Sequence, residues 1–172
     1  MRRFICIALS VVLMGSLFAQ ERFPIPELTY EQKYSRVISE TFGFITTGIN
    51  FAKSQGVSPY DYGIYVGDIY ASFWNPEIGF EGFVQSFIGS WECMKTDQDG
   101  KINITENTDN SVSIEFPKNA MTKFIGRENP TATIEEVVEY FKGILMQITA
   151  KFNSSVTIDI TDTYLTFILK KN

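Results

Sequence analysis

Apolar residues return every three or four positions at Tyr34, Val37, Ile38, Phe42, Ile45, Ile49 and Ala52, which predicts a first helix with one greasy face. Thr29 stands where an N-cap belongs, with Gln32 three residues on as its reciprocal partner, and Gly56 marks the stop. A second helix starts at Ser58, Pro59 and Asp61, a cap followed by the residue types that favour a first turn. Its expected apolar stripe is Tyr62, Val66, Ile69 and Phe73. Gly63 and Gly67 lie one turn apart beside that stripe, with Ala71 one turn further. Each helical glycine costs about 1 kcal/mol of propensity, which a close helix approach or a ligand against the backbone would offset.

Asn75-Pro76 breaks the pattern. A third helix is expected from about 77 or 79 to 91 through Phe80, Phe83, Val84, Phe87, Ile88 and Trp91. The period then changes to two. Residues 101–105 and 111–116 alternate around Asn107, Asp109 and Asn110 and predict a hairpin, ended by Pro117. A short helix is expected over 119–125, then a loop over 126–130. Thr133 and Glu136 form a capping box for a long helix faced by Ile134, Val137, Val138, Phe141, Leu145 and Ile148. A second, looser hairpin joins 155–160 to 164–169 through Thr161-Asp162-Thr163.

The expected fold is α+β: a four-stranded antiparallel sheet from two β-hairpins, covered on one face by about four helices. Val112, Ile114, Phe116, Val156, Ile158 and Ile160 would face the helices. Ser111, Ser113, Glu115, Thr157, Asp159 and Thr161 would face water or a polar ligand.

Ahead of the helices, Arg2 and Arg3 precede an apolar run from Phe4 to Met14 and then Gly15, Ser16 and Ala19, the order of an export signal. Residues 1–19 are therefore expected to be removed, leaving 20–172 as a single periplasmic or secreted domain behind an extended, proline-bearing lead at 23–26. The apolar run is shorter than the roughly 20 residues that a membrane-crossing helix needs. No stable membrane span is expected after cleavage.

The 172 residues carry 15 basic and 20 acidic side chains, a formal charge of −5. Removing 1–19 takes two of the basic residues and none of the acidic ones, leaving a formal charge near −7. That balance weighs against nucleic acid or an anionic membrane as partner. The chain has no His, the commonest general base and zinc ligand, so metal and triad chemistry lose their usual residue. Cys93 would be the only thiol left, and its place after Trp91 predicts burial. Neither a phosphate loop nor a dinucleotide fingerprint occurs, and no cofactor is expected.

The candidate site is the Tyr- and Asp-rich second helix. Tyr62, Gly63, Tyr65, Gly67 and Asp68, joined by Trp74 and Trp91, are the expected ligand-binding residues of an aromatic cavity between helices and sheet. An apolar or amphipathic small molecule is the expected partner of this non-catalytic binding reading. Helix-to-core packing explains the same residues without a ligand. Two alternatives stay open: an envelope interaction or structural protein, with a homodimer through helix one or an edge strand, and a histidine-free hydrolase. The hydrolase would need at least two of Asp61, Asp68, Glu81, Glu92 and Asp159 in one cleft. Asp97, Asp99 and Gly100 read as a solvated acidic turn, too short for a calcium loop. Asn103-Ile104-Thr105 and Asn153-Ser154-Ser155 match the glycosylation triplet.

Overall fold

In a computed structural model of the chain, residues 27–123, 125 and 132–172 are described. The expected export segment, the lead at 23–26 and the loop at 126–130 lie outside them. By its internal contacts the chain divides into residues 1–34 and 35–172. The described part of the first unit is capped as its sequence expects: the Thr29 N–H donates to Gln32 Oε1 at 2.9 Å and the Gln32 N–H to Thr29 Oγ1 at 3.2 Å.

The elements in order are α1 (Tyr30–Ser54), α2 (Pro59–Ala71), a 3-10 turn (Pro76–Ile78), α3 (Gly79–Glu92), a second 3-10 turn (Asp97–Asp99), β1 (Asn103–Asn107), β2 (Ser111–Pro117), α4 (Asn119–Thr122), α5 (Ile134–Ala150), β3 (Ser154–Ile160) and β4 (Tyr164–Lys171). The local signals act where the sequence places them. Gly56 takes φ +76 after α1, and Ser58 Oγ accepts the Asp61 N–H at 3.0 Å to open α2. At α5 the Thr133 N–H donates to Glu136 Oε2 and the Glu136 N–H to Thr133 Oγ1.

The four strands make one antiparallel sheet in the order β1-β2-β4-β3, so each hairpin contributes one central and one edge strand. Ile114 pairs with Phe167, which pairs with Ile158, and this register puts the apolar side chains of three strands on one face. Trp91 and Phe87 of α3 stack onto that face: the Trp91 ring lies 4.5 Å from Phe167 and 4.9 Å from Phe116. Helix α5 packs on β3 and is buried almost all round, from Val137 to Thr149. It is the central helix.

Three strand expectations are corrected. The first strand runs from Asn103 to Asn107, shifted two residues from 101–105, and every one of its residues is exposed. It is an edge with a bulge at Thr105, so alternation there has no core to serve. On the opposite side of β2, Ser113 is buried rather than wet. It sits on a central strand opposite Ile168, a far larger side chain. Ile160, expected inside, is exposed at the end of the β3 edge.

The buried face of α2 is also corrected. Gly63, Gly67 and Ala71 are buried, while Ile69 and Phe73 face out and Tyr62 and Val66 are half-buried. A Cβ on Gly63 would lie 2.1 Å from the Tyr140 carbonyl oxygen, and one on Gly67 would lie 2.7 Å from Ile144 Cα. From the other side, a Cβ on Gly143 would lie 2.3 Å from the Tyr60 carbonyl oxygen. Helices α2 and α5 therefore meet backbone to backbone, an approach that only glycine permits.

Candidate functional site

Because α2 is drawn against α5 through glycines, its larger side chains are left on the flanks of the contact. Tyr62, Val66 and Tyr70 project from one flank into a pocket of about 630 Å³. Helix α1 supplies Thr41, Phe44 and Ile45, and α3 supplies Phe87, Ser90 and Trp91. Tyr140, Phe141, Ile144, Leu145 and Ile148 of α5 form the remaining wall, and Trp74 and Met94 come from the connections after α2 and α3. Every helix contributor lies on α1, α2, α3 or α5. Among the described residues no strand residue lines the space, but Phe87 and Trp91 tie its floor to the aromatic cluster at the helix–sheet interface.

The rings are set by one another. Tyr62 stacks on Tyr140 with centroids 5.4 Å apart, Tyr140 meets Phe141 at 5.5 Å, and Phe141 meets Trp91 at 5.1 Å. On another side Trp74 packs edge-on against Phe83 at 5.4 Å. The far end of the Tyr62 ring reaches α1 over Gly48, where a Cβ would come within 2.7 Å of the hydroxyl. Phe44 and Tyr70 stand exposed at the rim, so the pocket opens to solvent between α1 and α2.

Its electrostatics are simple. Among the described residues, no charged side chain lines the pocket. Burial, with smaller contributions from the neighbouring Tyr62 and Tyr70 phenols, pushes the Tyr140 hydroxyl well above its ordinary pKa, so it stays protonated. Among the described residues, no hydrogen bond engages the hydroxyls of Tyr62 and Tyr140 or the indole N–H groups of Trp74 and Trp91.

Of the seven residues expected from the sequence, Tyr62, Trp74 and Trp91 line the pocket. Gly63 and Gly67 do not; they seat α2 on α5. Tyr65 and Asp68 are exposed outside it. The lining residues Phe44, Tyr140 and Met94 escaped the sequence reading, as did the positioning residue Gly143. A glycine in the middle of an otherwise strong helix was the available signal for Gly143.

The other chemical candidates separate. Asp61, Asp68, Glu81, Glu92 and Asp159 are all exposed and none lines the pocket. Cys93, expected buried, is exposed, because α3 turns its Trp91 side to the core and ends one residue later, at Glu92. Asp99, expected to be solvated, is buried and paired with Lys123, with its carboxylate also accepting the Thr96 N–H at 2.7 Å and hydroxyl at 2.9 Å. Burial alone would raise the Asp99 pKa, but Lys123 and Thr96 together outweigh it and hold the carboxyl below its ordinary value. This turn is a structural clasp. Among the described residues, no group of three His, Cys, Asp or Glu is placed to hold a metal, and no helix is long and apolar enough to cross a membrane.

No protein-family model matches the chain, and no curated protein is detectably similar to it. Among solved structures, the chain is similar to an unliganded Fe(II) H-NOX protein variant from K. algicida. The identity is 16%, the TM-score 0.36, and the match covers 86% of this chain and 76% of that one. At that distance the likeness carries no argument about function.

Proposed function

We propose that this chain is an exported, non-catalytic protein that binds an apolar or amphipathic small molecule in the pocket framed by α1, α2, α3 and α5. The observation that carries the reading is the pocket itself: about 630 Å³, with no charged side chain among its sixteen described lining residues and half of those aromatic. Sites of this volume and character suit organic molecules of moderate size. Export is inferred from the order of charge, apolar run and small residues in 1–19. A mature N-terminus at Gln20, read by mass spectrometry of protein from its own host, is its signature, and an intact Met1 contradicts it.

Binding is tested with N-phenyl-1-naphthylamine, a neutral probe that brightens in apolar surroundings. The full chain is expected to bind it saturably, and Val66→Trp, which fills the pocket from α2, to abolish the signal while the fold persists by circular dichroism. A signal unchanged in Val66→Trp would contradict the reading.

A second reading rests on α1. Val37, Phe44 and Phe51 are 61%, 78% and 67% exposed and stand seven residues apart, the spacing of a helix-pairing seam. Self-association through that stripe predicts a dimer in sedimentation experiments that Phe51→Glu converts to monomer. A monomer at all concentrations would contradict it. Phe44 belongs to both the stripe and the pocket rim, so a dimer would cover the opening.

A further inference from the structure

Resting on the binding reading, we infer that the pocket takes an uncharged, ring-bearing molecule carrying a hydrogen-bond-accepting oxygen, such as a ketone or ether, which Tyr62 and Tyr140 recognise. Three observations carry this further than a generic greasy pocket.

The first is the missing counter-charge. A carboxylate, sulfonate or ammonium taken into this space would leave water without an opposite charge among the sixteen described lining residues. An uncompensated charge in an apolar site is strongly disfavoured. Outside the pocket, the net charge of −5 gives an anionic ligand no attraction from the protein as a whole.

The second is a set of donors without a partner among the described residues. The indole N–H groups of Trp74 and Trp91 can only donate, and the Tyr62 and Tyr140 hydroxyls have donors to offer. None of these four groups is engaged in a hydrogen bond among the described residues. The raised Tyr140 pKa keeps its proton in place across the physiological range, so it offers a donor at every relevant pH. A ligand with an accepting oxygen satisfies such groups, whereas a pure hydrocarbon leaves them unpaired.

The third is shape. The stacked Tyr62–Tyr140 pair, with planes 28° apart, and the tilted Trp91 and Phe141 rings present broad flat faces. Flat faces pack against rings with less lost freedom than against a flexible chain.

Three naphthalene probes separate these requirements on the full chain. 6-Propionyl-2-(dimethylamino)naphthalene is a neutral ketone, N-phenyl-1-naphthylamine is neutral without an accepting oxygen, and 1-anilinonaphthalene-8-sulfonate is the latter skeleton with an anionic group. We expect the sulfonate to bind at least tenfold more weakly than its neutral parent. In the double variant Tyr62→Phe and Tyr140→Phe, which removes two hydroxyls and little volume, we expect the ketone to weaken at least fivefold and the neutral amine to stay within twofold. A sulfonate that binds within tenfold of its parent, or a double variant that weakens ketone and amine alike, overturns the inference. If none of the three binds in a manner sensitive to Val66→Trp, the binding reading itself has failed. The two failures are thus distinct.

Discussion

Replacing Gly63, Gly67 or Gly143 by alanine is expected to destabilise the protein, each by about 2–3 kcal/mol net. Helix propensity argues the other way, since alanine is favoured over glycine inside a helix by about 1 kcal/mol. The sign is decided by contact. The added methyl of Gly63→Ala would sit 2.1 Å from the Tyr140 carbonyl oxygen, that of Gly67→Ala 2.8 Å from the Ile144 carbonyl oxygen, and that of Gly143→Ala 2.6 Å from the Ile64 nitrogen. All three neighbours are backbone atoms, which cannot rotate aside as a side-chain end can. The two helices must separate, and the pocket walls move with them. Gly89 in α3 and Gly43 in α1 supply the control, because a Cβ at either position meets nothing within 4 Å. Gly89→Ala and Gly43→Ala are expected to stabilise by roughly 0.5–1 kcal/mol. Urea denaturation of the five variants checks the pattern, and equal behaviour of the two groups would contradict the backbone contact.

Trp91→Ala is expected to cost about 4 kcal/mol, a loss on the order of 10 °C in thermal midpoint for a chain of this size. Trp91 is only 4% exposed and its ring meets Phe87, Phe116, Phe141 and Phe167 at centroid distances of 4.5–5.9 Å. Those four partners come from α3, β2, α5 and β4, so a single truncation loosens both the helix layer and its seat on the sheet. The cavity left behind is continuous with the pocket, whose floor Trp91 forms. Trp91→Phe, which keeps a ring in place, should lose less than half as much. Calorimetric midpoints for both variants test this. A fall of only a degree or two in Trp91→Ala would mean that the interface is not anchored there.

Local chemistry was legible in the sequence. Thr29 with Gln32, Ser58 with Asp61, and Thr133 with Glu136 are contacts within three residues, and each forms as its spacing predicts. The sheet was legible as well, because the apolar side chains of 112–116 alternate cleanly and bury one face. The orientation of α2 was not. Counting apolar residues assigns burial to Tyr62, Val66, Ile69 and Phe73, yet the ridge of Gly63, Gly67 and Ala71 is what α5 receives. The reason is a partner eighty residues away: Gly143 makes the approach possible, and no local pattern reports it. Trp74 and Trp91, expected as rings of an aromatic cavity, do line the pocket, whereas Tyr65 and Asp68 were misplaced by the same error in rotation about α2. Asp99 followed a different rule, since its partner Lys123 lies beyond the first hairpin.

The most direct test of the pocket is solution NMR of the ¹⁵N-labelled protein titrated with N-phenyl-1-naphthylamine. Saturable shifts are expected at the indole N–H groups of Trp74 and Trp91 and at the amides of Tyr62, Val66 and Tyr140, with β1 and the outer face of β2 unmoved. Shifts spread over the exposed stripe of α1 with the two indoles unchanged would contradict it.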